Sequence, residues 1–304
     1  MVELRRLVAA RGLDGRLLAK LEYLNPGFSK KDRIALEMVR EARARGDLRE
    51  GQTVVELTSG NTGTGLALVC RALGHPFVAV MSRGNTAERA RMMRALGAEV
   101  VLVDQAPGSP PNQVSGGDLA LVEARTRELV AQRGAFRANQ FELPASALAH
   151  ERHTGPEIWE QAGGKVDAYV DFAGTGGSFA GVARFLRGKN PRLRAWLVEP
   201  RGAAALAGKP VTRPSHRIQG GGYSMGRLPL LGREPVAGYL EVDDGAAVAA
   251  ARALAAEEGI FGGFSAGANL AAALELLAGP EKGSTVVFLV CDSGLKYLST
   301  DLWP

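Results

Sequence analysis

The chain has 304 residues, a formal net charge of +5, 46% hydrophobic and 23% charged residues. That balance is ordinary for a globular protein, and the length suits one large α/β unit or two smaller domains. No apolar run approaches the ~20 residues of a membrane span. Nothing resembles a signal peptide, and Lys and Arg are interleaved with Glu and Asp, so neither a membrane role nor a nucleic-acid-tracking stripe is expected.

In chain order, the first strand is expected at LLAKLEYL (17–24), followed by a helix over DRIALEMVREARARG (32–46). Strand and helix patterns then alternate: TVVEL (53–57), TGLALVCRALG, FVAVM (77–81), TAERARMMRALG and VVLVD (100–104). The Pro/Gly/Ser-rich stretch 105–118 reads as a surface loop, ahead of the helix LALVEARTRELVAQRG. After GPEIWEQAG come AYVDF (168–172), FAGVARFLRGK, AWLVE (195–199), YLEVD (239–243), DGAAVAAARALAAEEG, GANLAAALELLAG and VVFLV (286–290). Several helices end in Gly, as a helix stop should. Alternation of this kind predicts an α/β protein with mostly parallel, twisted sheets covered by helices. One sheet unit is expected before about residue 142 and a second after it, with the first strand joining the second sheet. Cys70 and Cys291 sit in apolar segments without metal-ligand spacing and read as buried thiols; no metal site is expected, and cytoplasm is the default location.

Three apolar strands run directly into loops of small residues: TVVELTSGNTG, AYVDFAGTGGS and STVVFLVCDSG. The first two lead into helices expected from Thr64 and Phe179. A strand, a loop free of bulky side chains and a helix N-terminus form an anion cradle, since free amides and the helix dipole point into one crevice. The Lys of GxxxxGK[ST] is absent from both, so a phosphorylated cofactor held by backbone fits better than a nucleoside triphosphate. In open α/β sheets, ligands bind beyond the carboxyl ends of the strands, and the loops are expected to converge on one site between two domains. In NPGFSKKDR (25–33), Pro26 and Gly27 make a turn, Ser29 can cap the following helix and Asp32 helps open it. Lys30 and Lys31 fall in the first helical turn, where the dipole disfavours positive charge and so favours imine formation with an aldehyde. Two solvated lysines would look the same from this segment alone.

NPGFSKKDRIA, TSGNTG, ANQFE, HTGPEIW, GTGGSFAG, IQGGGY and DSGLKYLST follow one another in the order and rough spacing of the cysteine synthase/cystathionine β-synthase family. Over about residues 18 to 300 the chain resembles that family, within the fold type II pyridoxal-phosphate enzymes. The resemblance implies two three-layer αβα domains of the tryptophan synthase β-like type. A smaller mobile domain (25–142) would carry Lys31 and the substrate carboxylate loop, and a larger one (143–304 plus 1–24) the phosphate loop. It further implies that Lys31 holds pyridoxal 5'-phosphate as a Schiff base and that Asn61 bonds the cofactor's phenolic oxygen. Thr58, Ser59, Gly60 and Thr62 would grip the substrate carboxylate with Gln140. Gly174, Thr175, Gly176, Gly177 and Ser178 would cradle the phosphate, Gly220 would line the ring, and Ser293 would face the pyridine nitrogen. Read without the resemblance, the glycine loop is a tight strand–helix turn, Asn61 a helix cap, Ser293 a turn serine and Gln140 a surface amide.

The implied reaction is a β-replacement. An activated serine-type amino acid (O-acetylserine or O-phosphoserine) displaces Lys31, which then serves as base on the Cα proton. Elimination gives an α-aminoacrylate to which a thiol-type nucleophile such as sulfide adds, forming cysteine. Domain closure would exclude water. A homodimer is expected by resemblance only. Family members begin with a stretch like GNTPLVRL, of which MVELRRL keeps only the tail, so a start upstream of Met1 is expected. Ser178 stands where Thr is commoner, and Tyr223, Ser224 and GGFSAGAN (262–269) also depart from the family pattern, which bears on substrate more than on cofactor. The rivals are a cystathionine β-synthase-type or amine-nucleophile enzyme, a serine/threonine dehydratase and a non-catalytic protein of the same fold. A Rossmann dehydrogenase would use Glu199 as its ribose acid, but Phe179 occupies its third glycine position.

Overall fold

A strand buried on both faces sends alternate side chains into two different cores, and the apolar runs of this chain do so. The computed structural model describes residues 1–58, 60–109 and 114–304. It divides into two compact units, Asn25–Ser146 on the one hand and Met1–Leu24 with Ala147–Pro304 on the other.

The chain begins with β1 (Val2–Glu3), α1 (Arg5–Ala10) and β2 (Arg16–Leu21), followed by a 3-10 turn at Glu22–Leu24. The unit 25–146 then contains α2 (Lys31–Arg45), β3 (Val54–Leu57), α3 (Asn61–Leu73), β4 (Phe77–Ser82), α4 (Ala87–Ala95), β5 (Glu99–Val103), α5 (Gly116–Arg133) and β6 (Phe136–Arg137). Next come α6 (Ala145–Ala149), a π turn at His150–Thr154, α7 (Gly155–Gln161), β7 (Ala168–Phe172), α8 (Gly177–Lys189), β8 (Arg194–Pro200), β9 (Gly238–Val242), α9 (Asp244–Glu258), α10 (Phe264–Ala278) and β10 (Thr285–Val290).

The smaller unit carries a four-stranded parallel sheet in the order β5-β4-β3-β6. Val55, Leu57, Val78 and Val80 pack with Val122 and Leu129 of α5 on one face. The larger unit carries six strands in the order β1-β2-β10-β7-β8-β9, parallel except for the β1–β2 pair. Its two faces separate cleanly by parity. Ala168, Val170, Phe172, Val286, Phe288 and Val290 enter the core under α9 and α10, while Tyr169, Val287, Leu289 and Cys291 enter the one that holds Phe179, Val182 and Leu186 of α8. That is a three-layer arrangement with β10 central, and β2 joins this sheet beside β10 as expected.

The helices open earlier than the periodicity predicts. Helices α3 and α8 begin at Asn61 and Gly177, not Thr64 and Phe179, because Gly60 (φ 125°) and Gly176 (φ 84°) turn the chain and act as N-caps. Small residues lack an apolar signal but enter a helical first turn without difficulty. Likewise α10 starts at Phe264 and α5 at Gly116, so the expected loop 105–118 ends early. The cause in α5 is a reciprocal capping box. Ser115 Oγ accepts from the Asp118 amide (3.1 Å) and Asp118 Oδ2 from the Ser115 amide (2.7 Å). Residues 110–113 of that segment lie outside the described residues. Helix α1 and strand β6 carry too few residues to give a periodic signal.

Candidate active site

In the smaller unit, Lys31 is the first residue of α2 and half-buried, with Lys30 at the N-cap and buried. Ser29 Oγ accepts from the Lys31 amide (3.2 Å), so the serine supplies the helix acceptor one place before the N-cap. The turn ahead of it is tied by Asp32, whose Oδ2 accepts from the Gly27 amide. A Cβ at Gly27 would crowd the Asp32 carboxylate, so a side chain there would have to displace the group that ties the turn. Phe28 holds a positive φ of 61°. Helix α3 packs directly on this segment: a Cβ at Gly65 would lie 3.0 Å from the Lys31 carbonyl oxygen and 3.1 Å from Asp32 Cα. Asn61 and Thr62 stand four and three residues before that contact.

The loop entering α3 is a closed hydrogen-bonded unit. Thr58 Oγ1 accepts from the Gly60 amide (3.0 Å) and the Gly63 amide (2.8 Å). Thr62 Oγ1 donates to Gln140 Oε1 (2.6 Å), and Gln140 Nε2 donates to the Leu57 carbonyl (3.1 Å). Gln140 is buried, not a surface amide. Thr58, Gly60, Thr62 and Gln140 are thus brought together; Ser59 lies outside the described residues. Asn61 is the first helical residue and not its cap, a position held by Gly60. The stem of Arg89 covers Gly60, where a Cβ would meet Arg89 Cδ at 2.5 Å.

Two residues in this region escaped the sequence reading. Thr64 Oγ1 bonds the Gly60 carbonyl (2.9 Å), a contact no motif announces. Glu56, fully buried on β3, accepts from the Gln140 amide through Oε1 (3.2 Å), while its Oε2 has no hydrogen-bond partner and stands 3.7 Å from Arg137 Nε. Burial pushes the Glu56 carboxyl up to about 8, against the pull of Arg137 and the Gln140 amide. The available signal was a lone acid in the strand TVVEL, just ahead of the loop.

In the larger unit, Gly174 to Ser178 run from the end of β7 into α8. Glycine at the N-cap brings no side-chain acceptor to the first turn of α8, where Thr175 Oγ1 accepts from the Gly177 amide at 3.5 Å, and a helix N-terminus of this kind suits an anion. The backbone here is closely approached by its neighbours, which favours glycine. A Cβ on Gly174 would lie 3.1 Å from the Gly220 carbonyl, and one on Gly176 3.2 Å from the Leu231 amide. Gly220 (φ 95°) belongs to a run that folds against the same strand end, where a Cβ on Gly221 would meet the Ala173 carbonyl at 2.4 Å. Ser178 Oγ donates to Asp171 Oδ2, a buried carboxylate that the sequence reading also missed.

Ser293 follows β10, the strand paired with β7, and is buried. It bridges Gly262, and its Oγ accepts from the Leu295 amide (3.2 Å), opening a short 3-10 turn. Beside it, Tyr297 Oη donates to Asp292 Oδ2 (2.6 Å), and a Cβ on Gly263 would strike both side chains at 2.3 Å. Glu199 is engaged by the amides of Leu206 (3.0 Å) and Ala207 (2.9 Å), and Phe179 is a core residue against Tyr169. Neither plays the part a dinucleotide fold would need.

The family profile described as "Pyridoxal-phosphate dependent enzyme" matches residues 1–292. The chain belongs to that family. It is 42% identical over 297 residues to Cysteine synthase 3 of Caenorhabditis elegans, covering 97% of this chain and 84% of that protein. Among solved structures it is similar to O-ureido-L-serine synthase (38% identity, TM-score 0.87, 99% of this chain and 90% of that one). It is also similar to the O-acetylserine dependent cystathionine beta-synthase of Helicobacter pylori (31% identity, TM-score 0.87, 96% and 91%). The fold is therefore the fold type II pyridoxal-phosphate fold, and the cofactor is pyridoxal phosphate. The cradle at the N-terminus of α8 fits the phosphate: its N-cap is a glycine that brings no side-chain acceptor, and Gly220 and Leu231 approach closely enough that side chains at Gly174 or Gly176 would crowd them. Among the described residues no helix is long and apolar enough to cross a membrane, and no cluster could hold a metal ion.

Proposed function

We propose that the protein catalyses β-replacement on an activated serine-type amino acid, O-acetylserine or O-phosphoserine, with sulfide as nucleophile and cysteine as product. Bound pyridoxal phosphate supplies the electron sink that makes the Cα proton removable. Lys31 anchors it, and after the amino acid binds, Lys31 Nζ is the base that receives the Cα proton. Asn61 orients the ring, Gly220 lines it, and the hydroxyl of Ser293 faces its nitrogen. A serine there leaves the ring uncharged, which favours loss of a β-substituent over transamination. Gly174 to Ser178 hold the phosphate. Thr58, Ser59, Gly60, Thr62 and Gln140 bind the substrate carboxylate. The observation that carries this reading is the Thr62–Gln140–Leu57 chain of hydrogen bonds beside Thr58, on the unit that also holds Lys31.

The test is spectral. The purified protein is expected to be yellow, with a visible band that disappears in Lys31→Ala. Titration with O-acetylserine, O-phosphoserine and serine is expected to shift that band, and added sulfide to restore it with release of cysteine. If no donor shifts the spectrum, β-replacement is wrong. A second reading keeps the same elimination half but uses homocysteine or an amine-type nucleophile. It is favoured by similarity to the two solved synthases and by the departures at Tyr223, Ser224 and 262–269. A panel of nucleophiles against the donor-treated enzyme separates the two, and keto-acid release without any nucleophile would identify a dehydratase. Sedimentation velocity tests the further expectation of a homodimer.

A further inference from the structure

Behind the loop that enters α3, a carboxyl group stands with one oxygen bonded and the other not. Glu56 is fully buried at the penultimate position of β3, and its Oε1 accepts from the Gln140 amide at 3.2 Å. The side chain of the same Gln140 is fixed by Thr62 Oγ1, which donates to its Oε1 (2.6 Å), and by its own Nε2, which donates to the Leu57 carbonyl (3.1 Å). Glu56 therefore holds the backbone of the residue whose side chain is locked into the loop. Its second oxygen faces a cation it does not bond. Glu56 Oε2 and Arg137 Nε are both buried without a hydrogen-bond partner, 3.7 Å apart. Arg137 on β6 directs its Nη1 and Nη2 to Glu123 of α5 instead. The groups that face Glu56 are thus Arg137, Glu123 and the amides of Gln140 and Leu57, while Glu142 acts on Arg137. Burial outweighs the pull of Arg137 and the amides, and the carboxyl keeps its proton up to about pH 8.

We propose that Glu56 is a positioning residue for the amino-acid substrate: neutral, it holds Gln140 in place for the substrate carboxylate, and ionised, it opposes that carboxylate. This rests on the reading that Thr58, Ser59, Gly60, Thr62 and Gln140 bind that group. A protonated carboxyl still accepts the Gln140 amide proton, and it adds no net charge behind the loop. Once ionised, it is a buried anion whose neighbouring cation is shared with Glu123. In a poorly polarisable interior that charge weakens the binding of a second anion at the loop it supports. No substrate bond forms or breaks in this step, and the proton that Glu56 loses passes to solvent.

The experiment titrates the holoenzyme with L-alanine, which carries the α-carboxylate but no β-leaving group, and reads Kd from the visible band between about pH 6.5 and 9. Wild-type Kd is expected to rise about fivefold with a midpoint near 8, beyond any change seen in Glu56→Gln, which keeps the acceptor and cannot ionise. Change common to both proteins belongs to Lys31 and the ligand amine. Glu56→Ala, which leaves the Gln140 amide without its acceptor, is expected to bind about tenfold more weakly than Glu56→Gln at every pH. Glu123→Gln removes an anion that raises Glu56, so the rise in Kd is expected to move to lower pH; a merely structural role for Glu56 would leave its midpoint in place. Infrared difference spectra over the same range, without ligand, are expected to show a protonated carboxyl band that wild type loses and Glu56→Gln lacks. Near-ultraviolet circular dichroism checks each fold, and Glu56→Gln with Glu123→Gln carries the test if Glu56→Ala does not fold. Identical pH profiles of Kd in wild type and Glu56→Gln overturn the role of Glu56 while leaving the carboxylate loop in place. A visible band that L-alanine shifts in no variant at any pH overturns the loop reading, and this proposal with it.

Discussion

Glu56 offers the sharpest test of the electrostatics. Its carboxyl is raised from an ordinary 4.5 to about 8 because burial on β3 outweighs Arg137 and the Gln140 amide. Arg137 is committed elsewhere: its Nη1 and Nη2 reach the two oxygens of Glu123 at 2.7 and 2.5 Å, while its Nε stays 3.7 Å from Glu56. An acid whose folded value is raised costs stability as pH climbs. Below 4.5 both states are protonated and there is no effect. Between 4.5 and 8 the unfolded chain releases the proton and the folded one keeps it; above 8 the loss is complete. At about 1.4 kcal/mol per unit, the full span is on the order of 5 kcal/mol. Glu56→Gln keeps an acceptor for the Gln140 amide and removes the titration, so it should match wild type near pH 4.5 and exceed it by several kcal/mol at pH 9. All three Trp residues (Trp159, Trp196, Trp303) lie outside 25–146. Guanidinium unfolding is therefore best followed by far-ultraviolet circular dichroism, with hydrogen exchange read at β3. Parallel pH profiles for the two proteins, or a less stable variant at pH 9, would refute the argument.

Other substitutions probe separate links. Thr62→Val removes the 2.6 Å bond to Gln140 Oε1 and is expected to raise KM for the amino-acid substrate about tenfold, with a smaller change in kcat, by steady-state kinetics. Gly267→Ala would set a Cβ 2.0 Å from the Ala247 carbonyl, forcing α10 away from α9; thermal denaturation should show a loss of about 1–3 kcal/mol or more. Tyr297→Phe deletes the donor to Asp292 Oδ2 beside Ser293 and is expected to cost about 1–3 kcal/mol, with the visible band retained.

How legible each part was follows from the length scale of its signal. Five- to seven-residue apolar runs such as AYVDF and VVFLV became β7 and β10 nearly to the residue, because burial on both faces leaves a contiguous hydrophobic run. Helices α3 and α8 start two or three residues before their periodicity does, because Gly60 and Gly176 do the capping and a glycine cap has no side chain to signal it. The capping box at Ser115 and Asp118 has a legible spacing, but it is masked by the surrounding glycines and prolines. Order and spacing of the motifs reveal the family. They are silent on Glu56 and Asp171, whose importance arises from burial and from partners 84 and 7 residues away.

Those two acids expose a shared construction. Each stands near the end of a parallel strand, at the penultimate position, and each strand leads into a small-residue loop, a glycine N-cap with positive φ and a helix. In each loop a threonine hydroxyl faces inward as well, Thr58 to the Gly60 and Gly63 amides and Thr175 to the Gly177 amide (3.5 Å). Glycine gives the backbone freedom to approach an anion, but the same freedom costs order in a free loop. Buried acids and hydroxyls restore that order from beneath without placing a side chain in the cradle. The two acids differ in what they hold: Glu56 Oε1 accepts from the Gln140 amide, and Asp171 Oδ2 from Ser178 Oγ. At Glu56 burial favours the protonated carboxyl up to about pH 8. The proton that burial holds on Glu56 is therefore the part of this construction that the unfolding profile of Glu56→Gln reads directly.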